Sequence, residues 1–333
     1  MPPQQGGPNK DYLVPNTPAE GVSCMAWSPV ANFLFAGSWN KSVSCWEILG
    51  DGTANPKAQM THKEPVLCVA VSADGKRVFS GSCDQTAKMW DLATNQSTVV
   101  GTHQAPIKEI SWVQDVNQLV TGSWDKTIRY WDTRSGPEKP TASVQLAERV
   151  YCMDVRYPLQ VIGTANRQMH IFDLRNPMKP FRSLESVLRY QTRCVATFMD
   201  KSGFAYGSIE GRCAISHVEE KDSQKNFAFK CHRVGEEVYA VNSISFHPKF
   251  GTFATCGSDG SWFFWDKDAK QRLKQYERND QSISASAFNY TGSVFAYAVS
   301  YDWSRGAEFY DPKKGSQIYL HPTNDAEVQP RKA

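Results

Sequence analysis

Trp39 and Trp124 hold the same place in two similar stretches, AGSWNKSVSCWE at 36–47 and TGSWDKTIRYWD at 121–132. The chemistry they offer is recognition. An exposed indole is a large, rigid apolar anchor, and tryptophan is enriched at interface hot spots. Arg193 and Arg212 offer the complementary chemistry, because a planar guanidinium bonds a carboxylate or phosphate bidentately. Basic residues also stand beside aromatic rings in RYQTR, 189–193, and in NFAFKCHR, 226–233, which carries Lys230 and Arg233. Bond-making chemistry has no comparable support. The chain has no nucleophile elbow, no phosphate-cradling glycine loop before a helix, no H-E-x-x-H and no recognisable carboxylate pair, so it reads as a non-enzyme. Its nine cysteines are scattered without a C-x-x-C pair, so neither a disulfide framework nor a zinc site is indicated. No cofactor or metal is expected, and the thiols should be reduced and partly buried.

The elements that must position these residues are repeats. After the two stretches already quoted, the pattern recurs as SGSCDQTAKMWD (80–91), IGTANRQMHIFD (162–173), YGSIEGRCAISH (206–217) and TCGSDGSWFFWD (255–266). A seventh, weaker copy is AVSYDWSRGAEFYD at 298–311. The glycine or its equivalent recurs at 37, 81, 122, 163, 207 and 256, a spacing that suits one four-stranded propeller blade per repeat. Alternating strands precede each copy, glycines and Asn/Asp mark the turns, and helical periodicity is nearly absent. The predicted fold is all-β: a seven-bladed WD-repeat β-propeller over 20–322, after a flexible leader (1–19) and before a charged tail (323–333). Tyr12–Pro15 or Gln317–Leu320 is expected to supply the outer strand that closes the ring.

Most repeated residues belong to the scaffold. Trp46, Trp90, Trp131 and Trp265, with Phe172 in the fourth copy, are expected to pack between blades. Asp84, Asp125 and Asp259 should fix turns through backbone N–H bonds, and His62 and His103 should support them. Function must come from the departures. At the second residue after the repeat glycine most blades carry Cys83, Ala165, Ile209 or Ser258, whereas the first and third carry Trp39 and Trp124. Alternation puts both rings on one rim. Residues 179–235 hold ten basic and six acidic side chains, a local +4 in a chain of net charge +3. Attraction to a polyanion must therefore be local. No apolar run is long enough to span a membrane, and MPPQQGGPNK does not read as a secretory signal.

Six stretches carry a resemblance: VYCMDVRYP (150–158), RYQTRC (189–194), SIEGRCA (208–214), NFAFKCHR (226–233), FHPKFGTFATCGSDGSWFFWDKDA (246–269) and SVFAYAVSYDWSRGAEFYDP (293–312). With these the chain resembles the messenger-RNA export factor family of the nuclear pore, GLEBS-binding WD-repeat propellers. The mitotic-checkpoint WD-repeat propeller is the nearest cousin. The resemblance implies a non-catalytic scaffold that binds the GLEBS segment of a GLFG-repeat nucleoporin. It makes Trp39 and Trp124 apolar anchors and Arg193 and Arg212 receivers of glutamates, with Lys230 and Arg233 extending the positive field. It also implies binding of RNA, of the single-stranded kind, on a basic surface, for which Lys179, Arg182, Arg189 and Lys225 are the candidates. The implied location is the nucleus and nuclear pore, with some cytoplasmic shuttling. The alternative is a mitotic-checkpoint, spindle or ubiquitin-ligase scaffold that binds a GLEBS-like segment.

Overall fold

Residues 4–331 are described by the computed structural model, in which the repeats form seven antiparallel sheets set in a ring. Six of the sheets run in chain order from an inner strand through a second and third to an outer one, and the seventh takes its outer strands from the start of the chain. The inner strands are Val22–Trp27, Val66–Val71, Ile107–Val113, Val150–Arg156, Thr192–Thr197, Val241–Phe246 and Ile283–Phe288. They pack side by side, and the seventh meets the first. This is the expected seven-bladed propeller. Each blade is apolar on both faces, and its neighbours cover them. Trp90 packs with Phe35 and Val43 of blade one, Trp131 with Phe79 and Ile107, and Trp46 with Ala296 and Ile318 of blade seven. Trp265 departs from the set. It is only half-buried, against Phe229 at 4.6 Å.

The repeat glycine is explained by its partner across the sheet. Gly37, Gly81, Gly163 and Gly207 lie opposite Cys24, Cys68, Cys152 and Cys194 of the inner strands. A β-carbon on Gly37, Gly81 or Gly163 would stand 2.6 Å from the facing sulfur. In blade six the bulk is exchanged, and in blade seven it is shared. Cys256 faces Ser243, and Ala298 faces Ala285. Outside blade seven, one large and one small residue fill the layer at interior density. Burial pushes the Cys24 thiol up to about 11 and the Cys194 thiol up to about 12, so these cysteines are packing groups.

Ring closure uses both ends of the chain. Asp11–Leu13 is the fourth strand of blade seven, pairing with the third strand, Gln317–Pro322, in the register Tyr12↔Leu320 and Leu13↔Tyr319, and the two-residue strand Gln5–Gly6 pairs outside it. Of the two segments expected to close the ring, the N-terminal one does so. The propeller thus begins before residue 20. The seventh sequence copy is also displaced: the chain leaves the sheet after Val299, and 300–316 forms a loop before the third strand. The tail is not a free charged end up to the last described residue. A short helix, Asp325–Val328, buries Val328 and accepts the Thr252 hydroxyl hydrogen bond at the Val328 carbonyl, 2.7 Å away.

His321 ties these ends together. Its Nδ1 lies 2.7 Å from Asp11 Oδ1 and its Nε2 lies 3.2 Å from Glu327 Oε2. Tyr276 Oη faces Nε2 at 3.3 Å, while Lys274 pairs with Glu327 and Tyr297 donates to Asp11. Burial alone would lower the imidazole's pKa. The Asp11 and Glu327 hydrogen bonds and charges outweigh it and raise the value to about 8.

Two predictions follow from this packing. Gly163→Ala should destabilise by about 1–3 kcal/mol through overpacking. Adding Cys152→Ser should recover much of that loss in a thermal melt; simple additivity of the two losses would refute the pairing. The histidine clasp should stabilise fully below its unfolded pKa, about 6.5, and lose that contribution as pH rises through about 8. The wild type should therefore lose about 2 kcal/mol relative to His321→Gln between those pH values, measured by denaturant unfolding.

Candidate functional site

The turns between second and third strands emerge at one end of the ring. The loops from each outer strand to the next inner strand emerge there too. This end is the upper rim. Its turns are held by a hydrogen-bonded chain through the blade. In blade three Trp131 Nε1 donates to Thr121 Oγ1 (2.8 Å), which lies 2.7 Å from His103 Nε2, and His103 Nδ1 lies 2.8 Å from Asp125 Oδ2. Burial lowers the His103 pKa against the pull of Asp125, so the neutral ring donates from Nδ1 and accepts the threonine hydroxyl. Asp125 Oδ1 also accepts the Thr127 amide (2.9 Å) and hydroxyl (2.6 Å). Burial pushes its carboxyl up, but these hydrogen bonds outweigh it and hold the group far below the carboxylate range.

That chain explains why an indole can sit on a tight turn. Asp125 is drawn inward and Lys126 takes a positive φ of 68°. Trp124, one residue earlier, is left at the rim, its amide bonded to the Pro106 carbonyl at 3.0 Å. The residue is half-buried, less open than Trp39, and its buried Nε1 has no acceptor among the described residues. Blade one builds the same turn with Asn40, which accepts the Ser42 amide at 3.1 Å and hydroxyl at 2.6 Å. Trp39 there is 39% exposed.

Arg193 reaches the rim by another device. Every inner strand slips register by one near its start, and the extra residue in blade five is Arg193. Such bulges re-aim a side chain. Arg212 opens the third strand of blade five opposite Lys230 of the outer strand. Among the described residues neither Arg193 nor Arg212 forms an ion pair. Arg233 is more constrained, donating from Nη2 to the Glu210 carbonyl at 2.8 Å. The six residues expected to bind an acidic segment therefore share the upper end.

The four RNA candidates do not form one patch. Arg189 lies in an upper loop, whereas Lys179, Arg182 and Lys225 lie at the lower end, where third strands turn to outer ones. Arg182 donates to the Val218 carbonyl at 3.4 Å, and Lys225 pairs with Asp222 at 2.8 Å. Sequence adjacency in a propeller alternates between ends, so a basic run along the chain is split between two faces.

Comparison with known proteins settles the family. The WD domain, G-beta repeat, family model matches residues 14–47, 55–91, 94–132 and 224–266. A relative named Protein RAE1, from Arabidopsis thaliana, is 53% identical over 327 residues, covering 97% of this chain and 93% of that one. Relatives named mRNA export factor, from Xenopus tropicalis and Danio rerio, are each 49% identical over 339 residues, covering 97% of this chain and 92% of theirs. The chain belongs to the mRNA export factor family of WD-repeat propellers.

Within this family member the structure adds residues that sequence reading missed. A groove of about 900 Å³ opens on the upper rim between blades five, six and seven, walled by Arg193, Tyr239, Arg278, Tyr301, Arg305 and Phe309. The 300–316 loop supplies its far wall. In that loop Trp303 stands at φ 60°, a left-handed conformation that costs a side-chain-bearing residue roughly 1–2 kcal/mol, yet its ring is 43% exposed. The signal was the density of aromatics in YDWSRGAEFYD, which strand alternation does not require. A second cleft, at the lower end of blades five and six, gathers Lys225, Lys267 and Lys270 around Phe227, with Lys270 Nζ 4.9 Å from the ring centroid.

Proposed function

We propose that this chain is a non-catalytic adaptor in nucleocytoplasmic export of messenger RNA. It acts in the nucleus and at the nuclear pore, where its upper rim captures a GLEBS-type segment of a GLFG-repeat nucleoporin. The relatives named mRNA export factor support the export role. One arrangement carries the site: Trp39 and Trp124 emerge on the same rim as Arg193 and Arg212, two guanidiniums without carboxylate partners among the described residues. A disordered segment loses entropy on docking and needs concentrated contacts. Two indole anchors supply about 2 kcal/mol each on the hot-spot scale. A glutamate on each arginine adds specificity, since breaking such a pair costs about 2–5 kcal/mol.

The lysine cleft around Phe227 favours a second activity of the same adaptor, binding of single-stranded RNA. Lys270, with Lys225 and Lys267 exchanging Asp222 and Asp268 for the ligand, neutralises phosphates, and the Phe227 ring offers a stacking face. The two surfaces lie at opposite ends of blade five, so both ligands fit at once.

Calorimetric titration of the full chain with a synthetic GLEBS peptide tests the rim. Trp124→Ala and Arg212→Glu should each weaken binding about tenfold or more, with unchanged melting temperature. Wild-type affinity in both variants would overturn the assignment. Binding of an oligouridylate should weaken steeply with salt and should weaken in Lys267→Glu but not in Trp124→Ala. A flat salt response would remove the RNA activity.

A further inference from the structure

One element lies both beside Trp39 of blade one and along the groove that contains Arg193 of blade five. A β-carbon on Gly21 would lie 3.5 Å from the Trp39 ring and 3.4 Å from the Tyr301 carbonyl oxygen, so the 300–316 loop begins beside Trp39. The same loop walls the groove that contains Arg193. We infer that Trp303 is a further apolar anchor for the segment that binds this rim, and that Asp302 is the positioning residue that holds it out. This inference rests on the adaptor reading above.

Trp303 is the next residue after a clamped carboxylate. Asp302 Oδ2 accepts from Asn242 Nδ2 at 2.7 Å and from the Ser258 hydroxyl, and its Oδ1 accepts the Ser304 amide at 3.2 Å. Burial pushes the Asp302 carboxyl up, yet these hydrogen bonds and the nearby Arg193 charge hold it below the carboxylate range. The clamp pins the loop to blade six, and the left-handed turn at Trp303 then sends the indole outward. There it stacks on Tyr310 (centroids 4.9 Å, 23° between planes) and meets Tyr301 edge-on at 5.5 Å. That stacking leaves the residue 43% exposed. The ring is strained and open together, a combination that points to a constraint serving a ligand.

The chemistry of the groove selects a peptide over a nucleic acid. Arg193, Arg278, Arg305 and Lys314 are matched along its walls by Glu237, Asp259, Asp280 and Asp311. Lys314 already pairs with Asp280 at 3.5 Å, and Arg278 rests on the Tyr239 ring at 5.1 Å. Such balanced walls give a polyphosphate no net attraction. They suit an apolar segment bearing isolated carboxylates, one of which reaches Arg193.

The test is titration of the full chain with the synthetic GLEBS peptide, comparing Trp303→Gly, Asp302→Asn and Trp124→Ala. Glycine accepts the left-handed turn, so Trp303→Gly should keep or raise the melting temperature while weakening binding about tenfold or more. Asp302→Asn should weaken binding less, with the same peptide stoichiometry. Hydroxyl-radical footprinting of the wild type should show the Trp303 ring protected when peptide is added, a readout that needs no variant to fold. If Trp124→Ala loses binding while Trp303→Gly keeps it and the Trp303 ring stays reactive, the anchor is wrong and the adaptor reading stands. If the wild type does not bind the peptide, both fall. Protection of Trp303 by oligouridylate but not by peptide would replace the peptide with RNA.

Discussion

The hydrogen-bonded chain from aspartate through histidine to a hydroxyl and an indole is the constraint on which this molecule's rim depends. Where it is complete, it links three separate pieces: an upper loop, a turn and a third strand. His103 carries it in blade three and His232 in blade six, where His232 lies 2.8 Å from Asp259 and 3.1 Å from Thr255. Blade two keeps the His62–Asp84 and His62–Ser80 bonds, but Trp90 turns to Asn95 instead. Each chain buries polar groups with every partner in place, which makes it rigid and makes its loss costly. Because the aspartate is fixed inward, the residue before it has no choice but the surface. In blade three that residue is a tryptophan.

The propeller divides its labour between regular and irregular blades. Blades one, two, three and six match the repeat pattern that the WD domain, G-beta repeat, model describes. Blades four, five and seven depart from it, and they carry the split basic residues, Arg193 and Arg212, and the aromatic loop. Ring closure makes this affordable in stability terms. Every blade is covered by two neighbours, so a blade can lose its Trp-Asp ending, as blade five does at Ser216–His217, without exposing a sheet face. Function collects where the scaffold rule is relaxed.

The ring was legible in the sequence because the repeat carries its own packing instruction: a glycine opposite a bulky inner residue, and an indole at the third strand's end. The closing strand was legible only as a choice between two segments, since two-residue pairings such as Tyr12↔Leu320 leave little pattern in a sequence. His232 was not grouped with His62 and His103. Those two precede their aspartates by 22 residues, whereas the hairpin at Arg233–Val238 lengthens the interval to 27. The same kind of insertion hid the 300–316 loop, whose aromatics imitated a seventh repeat. The RNA candidates are divided between two ends for a topological reason. Neighbours along the chain lie at opposite ends of a blade.

The account stands or falls on whether the buried carboxylate sets the direction of the indole beside it. Fluorine NMR of the full chain labelled with 5-fluorotryptophan reads this directly, by comparing wild type with Asp125→Ala. The account predicts that the Trp124 resonance shifts and broadens as its turn is released, that Trp131 shifts with the broken chain, and that Trp39, on its own Asn40 turn, does not move. A Trp124 resonance that keeps its position and width in Asp125→Ala would contradict it.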